Sequence, residues 1–435
     1  MNLTTSPSYR WYIFAMCGST YVISGFWRVS NAVIAGDLAH DLALSPEVLG
    51  LLGGAFFYSF GLAQLPMGPL LDRFGPRIVI SLLACVGAAS AVAFSLADSG
   101  TMAVLARAGI GLGMAAVLMG SLKILTTWFS PHEFATLSGI LIAIGNLGGI
   151  GATTPLAWLS DQLGWRGACG FMAAVTLLFA IGMYLIARDN PPVPDGTQTL
   201  IPPSLAEIMA GLRTVFCSGT FWCLAPLGFA SYGALITAQG LWGAPFLMHV
   251  YGMSKASASS TLLAIPVGVV FGAPIWGRWS DKLGRRKPLV LTGLGAMLLI
   301  FSSLTLHLPL PRWGLAAQCW LLGFTSASLY ILYTQVKESF LLSIAGTALT
   351  ALNFFVILGA AMFQQMTGFI MGNWKPSATG ALPLAAYQWG FGVSAALLAL
   401  ALTVYILCRE SAGFVLSGTR RERQGHGDVL PVEEP

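Results

Sequence analysis

Apolar stretches of about 20 residues recur along the whole 435-residue chain, separated by short polar turns. That is the length an α-helix needs to cross the hydrocarbon core of a bilayer. Twelve such segments can be read, at roughly 11–35, 47–67, 78–97, 101–126, 134–156, 167–187, 219–243, 258–276, 288–306, 313–336, 341–371 and 387–408. In lipid, backbone polar groups must be satisfied within the structure, which restricts a chain of this pattern to a bundle of membrane helices. Composition closes off the soluble alternative. Only 9% of the residues are charged and 56% are hydrophobic, against about 25% charged in soluble domains. A single soluble core would leave much of this apolar surface exposed.

Several function classes are disfavoured at this level. The net charge of +5 is spread over short turns and forms no basic stripe, so no nucleic-acid partner is expected. The seven cysteines are scattered through apolar stretches and read as small buried hydrophobes, not as a disulfide framework. No cluster of His, Cys or carboxylates suits catalysis or a metal, so neither an enzyme nor a cofactor is expected. His132, His249 and His307 read as loop or interface residues. The segment 11–35 is too long for a signal-peptide core and carries Arg28 and Asn31. It reads as the first membrane helix.

The stretch 188–218 breaks the pattern with DNPPVPDG and then IPPSLAEIMAGLRTV. Prolines indicate a surface linker, and the second part a short amphipathic helix at the membrane face. The expected organisation is an N-terminal bundle over 1–187, a linker over 188–218, a C-terminal bundle over 219–410 and a disordered tail over 411–435. Orientation follows from Lys and Arg. With the N-terminus in the cytoplasm, that side collects Arg10, Arg73, Arg77, Arg188, Arg213, Arg278, Lys282, Arg285, Arg286, Lys287 and the basic residues of the tail. The far side holds only Arg166, Lys255, Arg312 and Lys375. Both termini are therefore expected in the cytoplasm of a bacterial cell, with the chain spanning its inner membrane.

The chain also repeats itself. GPLLDRFGPR, Gly68 to Arg77, follows the second segment, and GRWSDKLGRR, Gly277 to Arg286, follows the eighth. Gly68 matches Gly277, Asp72 matches Asp281, Gly75 matches Gly284 and Arg77 matches Arg286, all at an offset of 209. Gly68 and Gly277 are expected to let neighbouring helices approach closely. Asp72 and Asp281 suit hydrogen bonds from helix N-termini and pairing with nearby arginines such as Arg73 and Arg285. Gly75 and Gly284 suit tight turns. Two copies in register, each between helices of its own half, point to a conformational role and to two pseudo-symmetric six-helix bundles.

These paired loops resemble the signature of the major facilitator superfamily, and the likeness runs from about Trp11 to Arg409. Arg107 with Gly111 and Gly113 in RAGIGLG, and Gly145, Gly148, Gly149, Gly151 and Pro155 in GNLGGIGATTP, are similar to further family features. The last departs from the spacing of drug-exporting antiporters. The whole chain looks most like bacterial permeases grouped with nitrate, sugar-phosphate and organic-anion carriers. The resemblance implies rocking of two bundles about a central site and a gradient as the energy source. The chain has no GxxxxGK[ST] phosphate loop. For Arg107 the resemblance implies a structural or coupling role.

Polar residues inside the apolar segments supply the candidate site, since charge in hydrocarbon faces a cavity or a partner. Arg28 has Asn31 three residues on, on the same helical face. The resemblance places the first helix along the central cavity, where a cation would attract a carboxylate or phosphate. Snorkelling to the outer interface is the competing placement. Lys123, near the inner end of the fourth helix, either guards the cavity mouth or snorkels. Tyr232, Gln239 and Trp242 can share one face of the seventh helix, and Asn353 and Gln364 one face of the eleventh. Each either orients a ligand or bonds helix to helix. None of the seventeen carboxylates falls at mid-membrane. This disfavours a buried acid that holds a cationic drug or couples protons.

The function expected from the sequence is a monomeric secondary transporter for a small organic anion, by proton symport or exchange. The alternatives are an efflux carrier for a hydrophobic or metabolite-like compound, and a receptor or assembly factor that no longer transports.

Overall fold

The computed structural model describes residues 8–190, 205–377 and 381–407. Most of the proline-rich stretch of the linker, and the tail expected to be disordered, lie outside the described residues. Among the described residues the secondary structure is helical throughout.

The first membrane helix is made of two pieces, Tyr9–Val29 and Asn31–Asp41, with Ser30 between them. The second and third helices are Pro46–Phe74 and Pro76–Ser95. The fourth is again two pieces, Gly100–Met114 and Val117–Trp128. The fifth comprises Pro131–Gly151 and the start of Thr154–Ile186, and the sixth is the remainder of that run. Gly164, at φ 69°, makes the turn between them. The left-handed backbone there suits a residue with no Cβ. Ser160 lies beside Asp37 and Trp165 beside Asp41, whereas Ile186 is back beside Tyr9, so the chain reverses at Gly164.

A linker helix, Leu205–Phe216, leads into the second half and packs on the eleventh helix. The seventh helix is Gly219–Thr237, a π-turn at Ala238–Trp242, and Gly243–Tyr251. The eighth is Lys255–Leu262 and Ala264–Leu283, and the ninth Lys287–Thr305. The tenth is Arg312–Ser326, a 3₁₀ turn at Ala327–Leu329, and Tyr330–Ser339. The eleventh and twelfth are Leu342–Met371 and Leu384–Ile406.

Ten described helical runs are long and apolar enough to cross a membrane. The run from Leu137 to Ile186 counts as one of these and contains both the fifth and sixth helices. The first helix is the other addition, its hydropathy lowered by Tyr, Trp, Ser and Arg28. The result is an all-α membrane protein of twelve helices in two six-helix bundles.

Helix breaks repeat between the halves, and neighbouring side chains satisfy the carbonyls they free. Gln64 Nε2 of the second helix donates to Ala115 O, at the break in the fourth, over 3.0 Å. Trp276 Nε1 of the eighth donates to Phe324 O, before the break in the tenth, over 2.7 Å. A carbonyl left unpaired in lipid would cost several kcal/mol.

The halves meet along the second and eleventh helices. Gly50 and Gly54 lie against the backbone of Gln364, Gly368 and Ala361. Small residues let helices close in this way where no hydrophobic force between them exists. The expectation that Gly68 and Gly277 serve such contacts is corrected, because a Cβ at either would meet nothing within 4 Å. Those glycines sit toward the paired-loop end. The close approach is instead made nearer the opposite end, by the other glycines of the second helix.

At that opposite end Lys255 of the eighth helix crosses to the first half. Its Nζ reaches Asp37 at 2.6 Å, Ser160 Oγ at 2.8 Å and Asp161 at 3.6 Å. At the paired-loop end, the ion pairs among the described residues stay within one half. This conformation is therefore tied shut at the end away from the paired loops.

Candidate functional site

Between the halves lies a cavity of about 60 Å³. Its polar lining comes from Tyr21 and Arg28 of the first helix, Asn146 of the fifth, Tyr232 and Gln239 of the seventh and Tyr330 of the tenth. Tyr330 lines the cavity and keeps 40% of its surface exposed.

Arg28 and Tyr21 are seven residues apart, two helical turns, and so share a face. Tyr232 and Gln239 have the same spacing, and the pairs are offset by 211 (Tyr232 from Tyr21, Gln239 from Arg28). At this offset, two residues more than that of the paired loops, the second half has a neutral amide where the first has a guanidinium. Arg28 faces the hydroxyls of Tyr21 and Tyr232, and its guanidinium carbon lies 5.6 Å from the Phe60 ring centre. Arg28 forms no ion pair among the described residues, and its buried Nε has no hydrogen-bond partner. A cation held among phenols and an aromatic face has room for an anion.

Arg107 is fully inside the first bundle and does different work. Its guanidinium donates to Trp27 O at 2.5 Å and Ser30 Oγ at 3.3 Å and lies over Phe56. Trp27 O is one of the last carbonyls before the first helix breaks at Ser30, a group the helix itself leaves unpaired. Arg107 therefore holds the break that lies one residue beyond the Arg28–Val29 wall of the cavity.

Other expected site residues lie elsewhere. Lys123 does not line the cavity. Its Nζ bonds Asp72 at 2.5 Å and Leu71 O at 2.8 Å, because the fourth helix brings it beside the loop end of the second. Asn353 accepts from Tyr333 Oη at 3.0 Å and is likewise off the cavity wall, serving a bond between the tenth and eleventh helices. Asn31 is buried just past the break at Ser30 and Trp242 at the end of the π-turn, with both amide atoms of Asn31 and the indole nitrogen of Trp242 unpartnered. Three cavity residues were not foreseen: Tyr21, Asn146 and Tyr330. Tyr21 was detectable from its spacing to Arg28. Asn146 sat in view inside the glycine-rich GNLGGIG.

The paired loops are each tied to their own half. In the first, Asp72 pairs with Lys123 and not with an arginine. The cap at the N-terminus of the third helix comes from Asp189, whose Oδ1 accepts from Arg77 N at 2.7 Å after Gly75, at φ 78°. Arg77 also donates to Tyr184 O at 2.7 Å. Arg73 stacks on neighbouring Phe74. In the second, Gly284 adopts φ 62° and Arg286 joins three groups. It donates to Asp281 at 2.9 Å, Ser280 Oγ at 2.7 Å and Glu338 of the tenth helix at 2.8 Å. These bonds, Glu338 foremost, raise the Arg286 pKa above its ordinary value. Arg285 is exposed.

The fold and site together define a polytopic membrane protein whose halves enclose a cationic, hydroxyl-lined cavity. The Major Facilitator Superfamily model matches residues 16–363, and the chain belongs to that superfamily. It is 28% identical over 265 residues to the probable L-galactonate transporter of Escherichia coli, across 58% of this chain and 56% of that protein. The chain thus matches little more than half of that relative's length. It is 26% identical over 395 residues to the probable sulfoacetate transporter SauU of Cupriavidus necator, across 87% and 89% of the two chains. Among solved structures, the fold is similar to a bacterial homolog of the human lysosomal transporter Spinster in an inward-facing, occupied conformation. That likeness has a TM-score of 0.78 and 21% identity, covering 94% of this chain and 98% of that one.

Proposed function

We propose that the protein is a secondary transporter that moves a small organic anion across the bacterial inner membrane by alternating access. The observation that carries this reading is Arg28, a cation in the central cavity with no ion-pair partner among the described residues. An anionic ligand supplies the missing charge. Tyr21, Tyr232, Tyr330, Asn146 and Gln239 offer hydrogen bonds to hydroxyl or carbonyl groups of the same ligand. L-galactonate, which names one of the relatives, is an anion of this kind.

The mechanism follows from the two ends. With the N-terminus cytoplasmic, Lys255 closes the periplasmic end by tying the eighth helix to the first and fifth. Opening that end requires this link to break while the paired loops on the cytoplasmic side change partners. The boundaries 1–187 and 219–410 are the rocking units, with the linker between. Among the described residues no carboxylate lines the cavity; symport of a proton carried on the substrate and exchange of one anion for another both fit.

Binding to the folded state raises thermal stability. The purified protein is therefore heated with carboxylates, sulfonates, phosphates, sugars and lipophilic cations, alongside Arg28→Ala. Stabilisation by one anion class, lost in the variant, is expected, followed by flux of those compounds in proteoliposomes. Stabilisation by cations or apolar compounds, unchanged in the variant, would replace this reading with efflux. Anion binding without flux would favour a receptor.

A further inference from the structure

A second cavity, of about 440 Å³, lies outside the central site on the seam between the halves. One wall is the second helix, with Glu47, Val48, Leu51 and Tyr58. The other is the eleventh, with Met362, Gln365, Met366 and Phe369 at i, i+3, i+4 and i+7 of a single face. Phe369 is 69% exposed and Met362 45% exposed, although the halves are packed together behind them. Side chains exposed on that flank face lipid. The volume is in the range of ligand-binding sites, about 300–1,000 Å³.

The shape of the groove follows the bilayer. Glu47 is in the first turn of the second helix, at the membrane face away from the paired loops. Tyr58 lies eleven residues on, roughly 16 Å deeper at 1.5 Å per residue. Half of a hydrocarbon core of about 30 Å is nearly the same distance. The groove therefore spans one leaflet. It is floored near the bilayer centre by a bond between the halves, Tyr58 Oη donating to Gln365 Oε1 at 2.6 Å. Between the ends its walls are Val, Leu, Met and Phe, an acyl-chain environment.

The head of the groove is chemically specific. The Glu47 carboxylate lies against Gly372, the C-cap of the eleventh helix, where the helix dipole is negative. No cation pairs with it among the described residues. We infer that this groove is a binding site for a membrane phospholipid with a primary-amine headgroup. Its ammonium would pair with Glu47 and one acyl chain would run down to Tyr58. Because the two walls belong to different halves, the bound lipid holds together the conformation that is closed at this end. A primary ammonium has N–H donors to place on the carboxylate beside its charge, a choline headgroup has none, and a glycerol-phosphate headgroup has hydroxyls but a net negative charge.

The full-length protein is purified, exchanged into mixed micelles with equal amounts of phosphatidylethanolamine, phosphatidylcholine and phosphatidylglycerol, and weighed intact by native mass spectrometry. The wild type is expected to retain the ethanolamine lipid over the other two by about fivefold, the ratio one partly exposed ion pair supports. Glu47→Gln should level the three while still retaining lipid, and Leu51→Trp, which fills the groove, should retain none of them. Equal retention of the three by the wild type would overturn the headgroup assignment, and so would an ethanolamine preference that survives in Glu47→Gln. Undiminished retention in Leu51→Trp would overturn the groove itself.

Discussion

Replacing Lys255 with methionine isolates what holds the far end shut. Methionine keeps most of the apolar stem and removes the ammonium, which bridges Asp37, Ser160 and Asp161. The side chain of Lys255 is 16% exposed and that of Asp37 39%, so the pair is partly screened. An exposed ion pair contributes about 0.2–1 kcal/mol. The bond to Ser160 adds about 0.5–1.5 kcal/mol. Together, roughly 1–2 kcal/mol favours the closed end, and its loss raises the open population about 5- to 30-fold. The assay is labelling of a cysteine at Asn31, a position 1% exposed in this conformation. A background lacking the native cysteines and a maleimide that cannot cross the membrane are needed. Labelling from the far side should speed up by that factor in Lys255→Met. It should slow again when Asp37→Lys is combined with Lys255→Asp, which restores a pair across the halves. An unchanged rate in Lys255→Met, or a rise that the exchange does not reverse, would refute the argument that this pair sets the equilibrium.

Three further outcomes follow from single contacts. Arg107→Leu leaves Trp27 O without its donor at the break in the first helix, and should lower stability by about 1–3 kcal/mol, read as a lower thermal midpoint without ligand. Glu338→Gln weakens the network around Arg286. Trypsin should then cut the Lys282–Lys287 loop about 5- to 30-fold faster if roughly 1–2 kcal/mol of local closure is lost. The Asp41 carboxyl is held below its ordinary range first by the hydrogen bond from Trp165, and further by His40 and Arg166. A lowered folded-state pKa gives stability that is present above the unfolded value and is lost as pH falls through the folded one. Asp41→Asn should therefore lower the thermal midpoint at neutral pH, leave it unchanged at the acid end, and so flatten the acid limb of the profile.

What could be read from the sequence was what acts over one helix or one loop. Hydropathy located the helices because each must satisfy its own backbone, and the register of Gly75 with Gly284 exposed the two-fold repeat. Arg28, Tyr232 and Gln239 stood out because polar groups in hydrocarbon need a reason. The misplacements came from contacts between distant segments. Lys123 sits 51 residues from the Asp72 it meets, and no local pattern marks the pair. Asp189 was read as the start of a linker, yet it caps the third helix 112 residues earlier in the chain. The breaks at Ser30, Ala115–Ala116, Ala238–Trp242 and Ala327–Leu329 contain no proline. They are stabilised by side chains of other helices, such as Arg107, Gln64 and Trp276, and so emerge only once the bundle is packed. Tyr330 likewise has no local signal, because its place on the cavity wall depends on helices distant in sequence.

The repeat copies the scaffold and the charged loops between the halves but does not copy the charge of the cavity, and that asymmetry bears on the ligand. Breaks and glycine turns recur, whereas Arg28 is matched by the neutral Gln239 at the same offset that relates Tyr21 to Tyr232. The cavity thus offers one positive charge, and its other polar groups are hydroxyls and amides. On the proposed reading, a ligand with a single carboxylate or sulfonate would be neutralised at Arg28. A second ionised group would face Gln239 or a phenol, and removing a charge from water without a charged partner costs several kcal/mol. Hydroxyls on the same carbon frame carry no such penalty. Polyhydroxylated monoanions should therefore stabilise the protein at lower concentrations than the matching dianions, by about tenfold for each 1.4 kcal/mol of that penalty. Gln239→Arg should narrow or reverse the difference by restoring the symmetry of charge. A wild type that prefers dianions, or a Gln239→Arg variant that leaves the ranking unchanged, would mean that the ligand does not span from Arg28 to the seventh helix.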